Sequence, residues 1–188
     1  MEKLDLRVQK TYRALIEAFE NLLKEKEFEA ISVKEICEAA LIGRPTFYNH
    51  FLDKYDFLTF YMTHKMSAIF DYALENLDGE DDNFFILAFE QLLDQFDNLS
   101  FLIFSLQMNS DIIIELESIQ EYGQKMLKKQ LNNNEKNKND RAVVNEYESQ
   151  IIMGLTIQSV IFYKNNTEKI SREKMIDIYK EMLEKLRA

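Results

Sequence analysis

The sequence predicts an all-α protein, with an N-terminal three-helix helix-turn-helix head and a C-terminal helical bundle. Three observations predict this. Only 4 glycines and 1 proline interrupt 188 residues, and 46% of the chain is hydrophobic. The apolar residues recur at steps of three and four, the helical period, and do not alternate as in a strand. The stretch Gly43-Arg44-Pro45-Thr46-Phe47-Tyr48-Asn49-His50-Phe51 adds the third. Wound as a helix, it sets Phe47 and Phe51 on one side and Pro45, Asn49 and Thr46 on the other, flanked by Tyr48 and His50. Anchoring phenylalanines with hydrogen-bonding groups facing out suit a helix whose outer face enters a DNA groove.

Composition excludes several classes. No run of about 18 apolar residues without charge appears, so no segment is expected to span a membrane. Met1-Glu2-Lys3-Leu4-Asp5 is charged and lacks the apolar core of a signal peptide. A single cysteine, Cys37, excludes an intrachain disulfide and a multi-cysteine zinc site and suits a reducing compartment. A cytoplasmic protein without cofactor or metal is expected. The net charge of −10 argues against non-specific binding of nucleic acid. It is unevenly spread, however: acids and bases nearly balance over residues 1–54, and runs such as Asp78-Gly79-Glu80-Asp81-Asp82 lie in the remainder. A locally basic surface on an acidic molecule remains compatible with specific, salt-sensitive DNA binding.

In chain order, Val8, Tyr12, Leu15, Phe19, Leu22 and Leu23 predict a first helix from about Asp5 to Lys26. After a connection at residues 27–31, Ser32-Val33-Lys34-Glu35 matches a capping box, in which serine and glutamate side chains satisfy free backbone donors of a new helix. That helix places Val33, Ile36, Cys37 and Ala40 on one face. Leu41-Ile42-Gly43 breaks it, and Gly43 can cap a third helix with Arg44 and Pro45 in its first turn, where proline is tolerated. Two short helices joined this way form either a helix-turn-helix or a plain corner of a bundle. Further helices are expected over residues 56–77, 84–96, 99–108, 110–131, 141–163 and 171–186, with a polar, low-complexity loop at 132–140. The division expected is 1–54 for DNA binding and 55–188 for effector binding and dimerisation.

The order Lys10-Thr11, Ile16-Glu17-Ala18, Ile31-Ser32-Val33-Lys34-Glu35-Ile36 and Ala40 through Lys54 resembles the N-terminal domain of the tetracycline-repressor (TetR) family over about residues 7–58. Thr46-Phe47-Tyr48-x-His50-Phe51-x-x-Lys54 is its most specific part. Two departures stand out: Leu41 occupies the usual turn glycine, and Gly43 stands where Ser, Asn or Thr often caps the recognition helix. The resemblance implies a DNA-binding transcriptional regulator that is not an enzyme, most often a repressor, binding a palindromic double-stranded operator as a homodimer and released by an effector. An adaptor using the exposed aromatic and acidic surface, with a subordinate helix-turn-helix, is the alternative.

Within the head, Arg44 can reach a guanine edge or a phosphate, Asn49 can pair with adenine, and Pro45 offers apolar contact to a thymine methyl. Thr46, Tyr48 and His50 are similar to family positions that mostly hold phosphates. Lys54, Thr11, Ser32 and Lys34, near helix starts, are further candidates for the DNA backbone. For dimerisation, Tyr147, Ile151, Gly154, Leu155, Gln158 and Phe162 form one stripe. Ile178 and Met182 belong to a second, with Met175, Tyr179, Leu183 and Leu186. Two such helices per subunit can pair into a four-helix bundle. A small apolar or aromatic effector would meet Phe60, His64, Phe89, Phe104, Gln107, Tyr122 and Gln158, although aromatic stripes of this kind also serve as plain core. Two distant histidines, one cysteine and no glycine-rich phosphate loop form no catalytic constellation.

Overall fold

The computed structural model describes residues 5–77, 83–95, 121–130 and 142–187, and every described element is helical. The predicted 99–108 helix, most of the 110–131 helix, the acidic run at 78–82 and the polar loop at 132–140 lie outside the described residues. So do Phe104 and Gln107.

α1 runs Leu6–Glu25; the Asp5 carboxylate caps it, accepting from the Arg7 amide at 2.9 Å. A 3₁₀ turn, Phe28–Ala30, fills the connection to α2, Val33–Ala39. The recognition helix α3 is Arg44–Tyr48, with Gly43 as its N-cap and Pro45 in its first turn, as the sequence predicts. α4, Lys54–Glu75, begins under Asp53, whose carboxylate accepts from the Tyr55 and Asp56 amides at 2.8 and 2.9 Å. α5 is Phe84–Asp94. Residues 121–130 form α6, Ala142–Lys164 form α7 and Arg172–Arg187 form α8.

Aromatic rings hold the head together. Phe19 of α1 makes edge-on contacts with Phe28, Phe57 and Tyr61 at 5.1–6.0 Å between ring centroids. Phe57 of α4 in turn meets Phe47 and Phe51, so α3 is seated on α4 through the two phenylalanines that the helical spacing sets inward. Each such pair contributes about 1 kcal/mol beyond its burial.

In the body α5 packs on both α4 and α8. Phe70 stacks on Phe84, and Phe89 lies 3.9 Å from Tyr179, nearly parallel. The Tyr179 hydroxyl shares a hydrogen bond with Thr156 of α7 at 2.9 Å. Burial pushes its pKa up to about 12, partly offset by that bond. Arg172, at the start of α8, donates to the Glu90 carbonyl at 3.2 Å and pairs with Asp94 at 2.6 Å. A cation there complements the negative end of α5. Gly123 of α6 packs closely: an added Cβ would meet the Met153 methyl and lie 2.7 Å from that of Met66, both flexible side-chain ends that can swing aside.

Candidate nucleic-acid interface

The turn into α3 is built on an exception to backbone preference. Leu41 adopts φ 56°, the left-handed conformation that glycine takes freely. In that conformation the Leu41 amide donates to the Glu38 carbonyl at 3.2 Å and the Ile42 amide to that of Cys37 at 2.9 Å. The pair of bonds is a Schellman stop, which satisfies the last carbonyls of α2. The departure from glycine therefore leaves the turn's shape intact. Ile42 tucks against the core while the Leu41 side chain is 94% exposed.

At the other end of α2 the capping box forms as predicted. The Ser32 amide and hydroxyl donate to Glu35 Oε2 at 2.9 and 2.7 Å, and the Glu35 amide donates to Ser32 Oγ at 3.3 Å. Glu35 Oε1 accepts from Lys26 Nζ across the connection. The lysine bond first, then those from Ser32, bring the Glu35 pKa down to about 2. The Ser32 hydroxyl is thus committed to the cap. Lys34 beside it is exposed and only loosely paired with Glu38, at 3.8 Å.

α3 separates its two faces. Phe47 and Phe51 are buried, whereas Arg44, Pro45, Tyr48 and Asn49 are exposed. Thr46 and His50 are half-buried. His50 leans edge-on against Tyr12 of α1, 5.3 Å between centroids, and Tyr12 also contacts Phe51. The Thr11 hydroxyl donates back to the Arg7 carbonyl at 3.0 Å. Of the head's cations, Arg7, Lys10, Arg13 and Arg44 have no ion-pair partner among the described residues. They leave positive charge available on a nearly neutral head.

Lys54 is placed differently from the expected phosphate contact. Its ammonium points inward and donates to the Phe28, Glu29 and Ile31 carbonyls at 3.3, 3.1 and 3.3 Å. Glu29 Oε2 lies 3.5 Å away, and the Phe28 ring lies 4.7 Å from the ammonium. A second tie, absent from the sequence reading, joins α1 to α4. Glu20 accepts from Tyr61 at 3.3 Å and pairs with Lys65 at 2.5 Å. Burial first, then Glu20, push the Tyr61 pKa strongly upward.

Of the residues expected around an effector, Phe60, His64, Phe89, Tyr122 and Gln158 are described. Phe60 packs on Tyr12, Phe51 and Phe57, and His64 stacks on it from an exposed position, so both belong to the seam between head and α4. Phe89 is paired with Tyr179 in the core. Tyr122 is half-buried on α6, and Gln158 is exposed on α7.

The dimer candidates behave more uniformly. Tyr147, Gly154, Gln158 and Phe162 are exposed along α7, with Ile151 and Leu155 half-buried between them. α8 splits its stripe: Met175, Tyr179 and Leu183 face the core, whereas Ile178 is half-buried and Met182 and Leu186 are exposed. Nothing lies within 4 Å of a Cβ added at Gly154. Among the described residues no three His, Cys, Asp or Glu side chains form a metal site, and no helix is long and apolar enough to cross a membrane.

Comparison with known proteins agrees with this architecture. Residues 15–59 match the family model for bacterial regulatory proteins of the tetR family, N-terminal domain. No curated protein matches the chain by sequence. Among solved structures, a TetR-family transcriptional regulator from Syntrophomonas wolfei is similar, with TM-score 0.76, 20% identity and 95% of each chain covered. A TetR transcriptional regulator from Streptococcus agalactiae has TM-score 0.57 and 21% identity, covering 94% of this chain and 95% of its own. FadR from Bacillus subtilis, in complex with stearoyl-CoA, has TM-score 0.57 and 18% identity, covering 92% of this chain and 96% of its own. These likenesses show the fold, and the family model covers the helix-turn-helix. Residues 15–59 thus carry the N-terminal helix-turn-helix of the tetR family of bacterial regulatory proteins, on a chain that shares the fold of TetR-family regulators.

Proposed function

We propose that the protein represses transcription by binding a palindromic operator as a homodimer, and that an apolar or aromatic effector releases it. The division of labour is 1–54 for the operator and 55–188 for the effector and the dimer. The observation carrying the reading is α3 itself: Phe47 and Phe51 anchor one face while Arg44, Pro45 and Asn49 stand free on the other. Arg44 is the guanine reader, Asn49 the adenine reader and Pro45 the apolar contact. Thr46, Tyr48, His50 and Lys34 hold phosphates, with Thr11 and Ser32 at the margin because their hydroxyl protons already have acceptors. An operator in the bacterial cytoplasm accounts for the compartment expected of the chain.

The exposed stripe from Tyr147 to Phe162 on α7, with Ile178 and Met182 on α8, supports the dimer, and the open space at Gly154 admits close approach of a second helix. For the effector, the thioethers of Met66 and Met153 over Gly123 offer adaptable apolar surface. An apolar chain there fits the stearoyl-CoA complex of the B. subtilis relative.

Selection from random-sequence duplex DNA, followed by titration against salt, tests the reading. Enrichment of a palindrome with salt-sensitive affinity is expected; no enriched sequence overturns it. Arg44→Ala should change which selected sites are preferred, losing about 1–3 kcal/mol at the guanine it reads. Tyr48→Phe should weaken all sites alike. A uniform loss with Arg44→Ala would show that Arg44 holds a phosphate instead.

A further inference from the structure

We propose that Lys54 is a positioning residue of the DNA-binding head and not a phosphate ligand: its ammonium locks the α1–α2 connection onto the start of α4, fixing where the phosphate-facing end of α2 sits. The proposal deepens the operator-binding reading and rests on it. An ammonium has three hydrogens and no accepting capacity. Here three carbonyls converge on it, those of Phe28, Glu29 and Ile31, at 3.1–3.3 Å. The Glu29 carboxylate at 3.5 Å supplies countercharge. Phe28 and Tyr55 present their rings at 4.7 and 5.3 Å. The Lys54 side chain is only 17% exposed. A phosphate could recruit it only by breaking bonds already made, two of them to the part-buried carbonyls of Phe28 and Ile31.

What the lock holds is the segment leading directly into α2. Ile31, one of its three acceptors, precedes Ser32, the N-cap of α2, and Lys34 follows within the first turn. Lys26 reaches Glu35 from the other side of the same connection. Lys54 thus joins residues far apart in sequence: the connection between the first two helices, and the helix that follows the recognition helix. Without it the connection into α2 loses three hydrogen bonds from α4 and keeps the one that the Tyr55 hydroxyl donates to Glu29 Oε2 at 3.3 Å, and phosphate contacts set register only if their backbone is fixed.

Lys54→Met and Lys54→Arg test the proposal in the full chain, using the duplex selected by the unmodified protein. An arginine serves a phosphate at least as well as a lysine, but its planar fork does not reproduce three hydrogens converging from one nitrogen. Both variants should therefore bind the selected duplex about tenfold more weakly at temperatures where circular dichroism shows them fully folded. The slope of log affinity against log salt should stay that of the unmodified protein. Lys34→Met, as a control on an exposed phosphate candidate, should lower that slope by about 0.9 for each lysine removed from a phosphate. Amide exchange should rise across residues 28–36 in both Lys54 variants. Full affinity in Lys54→Arg, or a slope lowered in Lys54→Met with exchange at 28–36 unchanged, overturns the lock. If the unmodified protein enriches no duplex at all, the operator reading fails; the exchange measurement then decides the lock alone, unchanged exchange overturning it.

Discussion

At Leu41 a leucine holds the left-handed backbone that the Schellman stop requires, with its side chain 94% exposed. The strain is local, because a Cβ in this region crowds the following carbonyl at about 1–2 kcal/mol. Among the described residues no packing on the exposed side chain offsets it. Leu41→Gly should stabilise the head by about 1 kcal/mol, read as a higher urea midpoint with unchanged slope. Tyr61→Phe acts in the opposite direction: removing the hydroxyl that donates to Glu20 should cost about 1 kcal/mol. Lys54 shows where residue-level reading from sequence stops. Its spacing within the motif identifies it, but the direction of its ammonium depends on carbonyls 23–26 positions earlier, and no local pattern reports them. Phe60 is a similar case. The sequence offers it as an effector contact, and only the fold says that its neighbours include Tyr12 and Phe51.

Among the elements, α2 is the one whose stability depends most visibly on charge. It has seven residues, too few to persist without its cap and its packing on α1. Glu35 serves the cap and Lys26 together, and its pKa falls from 4.5 to about 2. A lowered carboxylate pKa gives stability that is complete above the unfolded value and fades as pH falls towards the folded one. Amide protection at the start of α2 should therefore hold at pH 5 and be lost between about pH 4.5 and 2. Hydrogen exchange followed by NMR reads this directly. Glu35→Gln keeps the capping geometry and removes the titration, so its exchange should show no acid transition over that window. The capping box was legible because it is a local pattern of residues 32–35; the pairing with Lys26, nine residues back, was not.

For the whole molecule, the division of apolar residues between core and surface is the informative feature. The repeat along α7 and α8 predicts two apolar stripes, and sequence alone cannot say which residues turn inward. The structure buries Met175, Tyr179 and Leu183, Tyr179 against Phe89 of α5 and Thr156 of α7, and leaves Met182 and Leu186 exposed, as it does Tyr147 and Phe162 on α7. Gly154→Leu separates the protomer from the dimer. A Cβ there meets nothing within 4 Å among the described residues, and leucine replaces a poor helix former, so the folded protomer should lose little. In the proposed dimer the added side chain should push the partner helix away, weakening self-association by about tenfold or more in sedimentation. Unchanged self-association would place the interface elsewhere.

α4 connects these scales through its length. Its first turns carry Phe57 and Tyr61, against α1 and α3, and its last carry Phe70, against α5. Twenty-two residues of helix span about 33 Å. As a rigid lever pivoting at its far end, it would move its first turn by about 3 Å for a tilt of about 5°, close to the 3.4 Å between successive bases of a strand. In the proposed dimer a tilt of that size would then shift each reading helix by about one base step, in opposite directions across the two-fold axis.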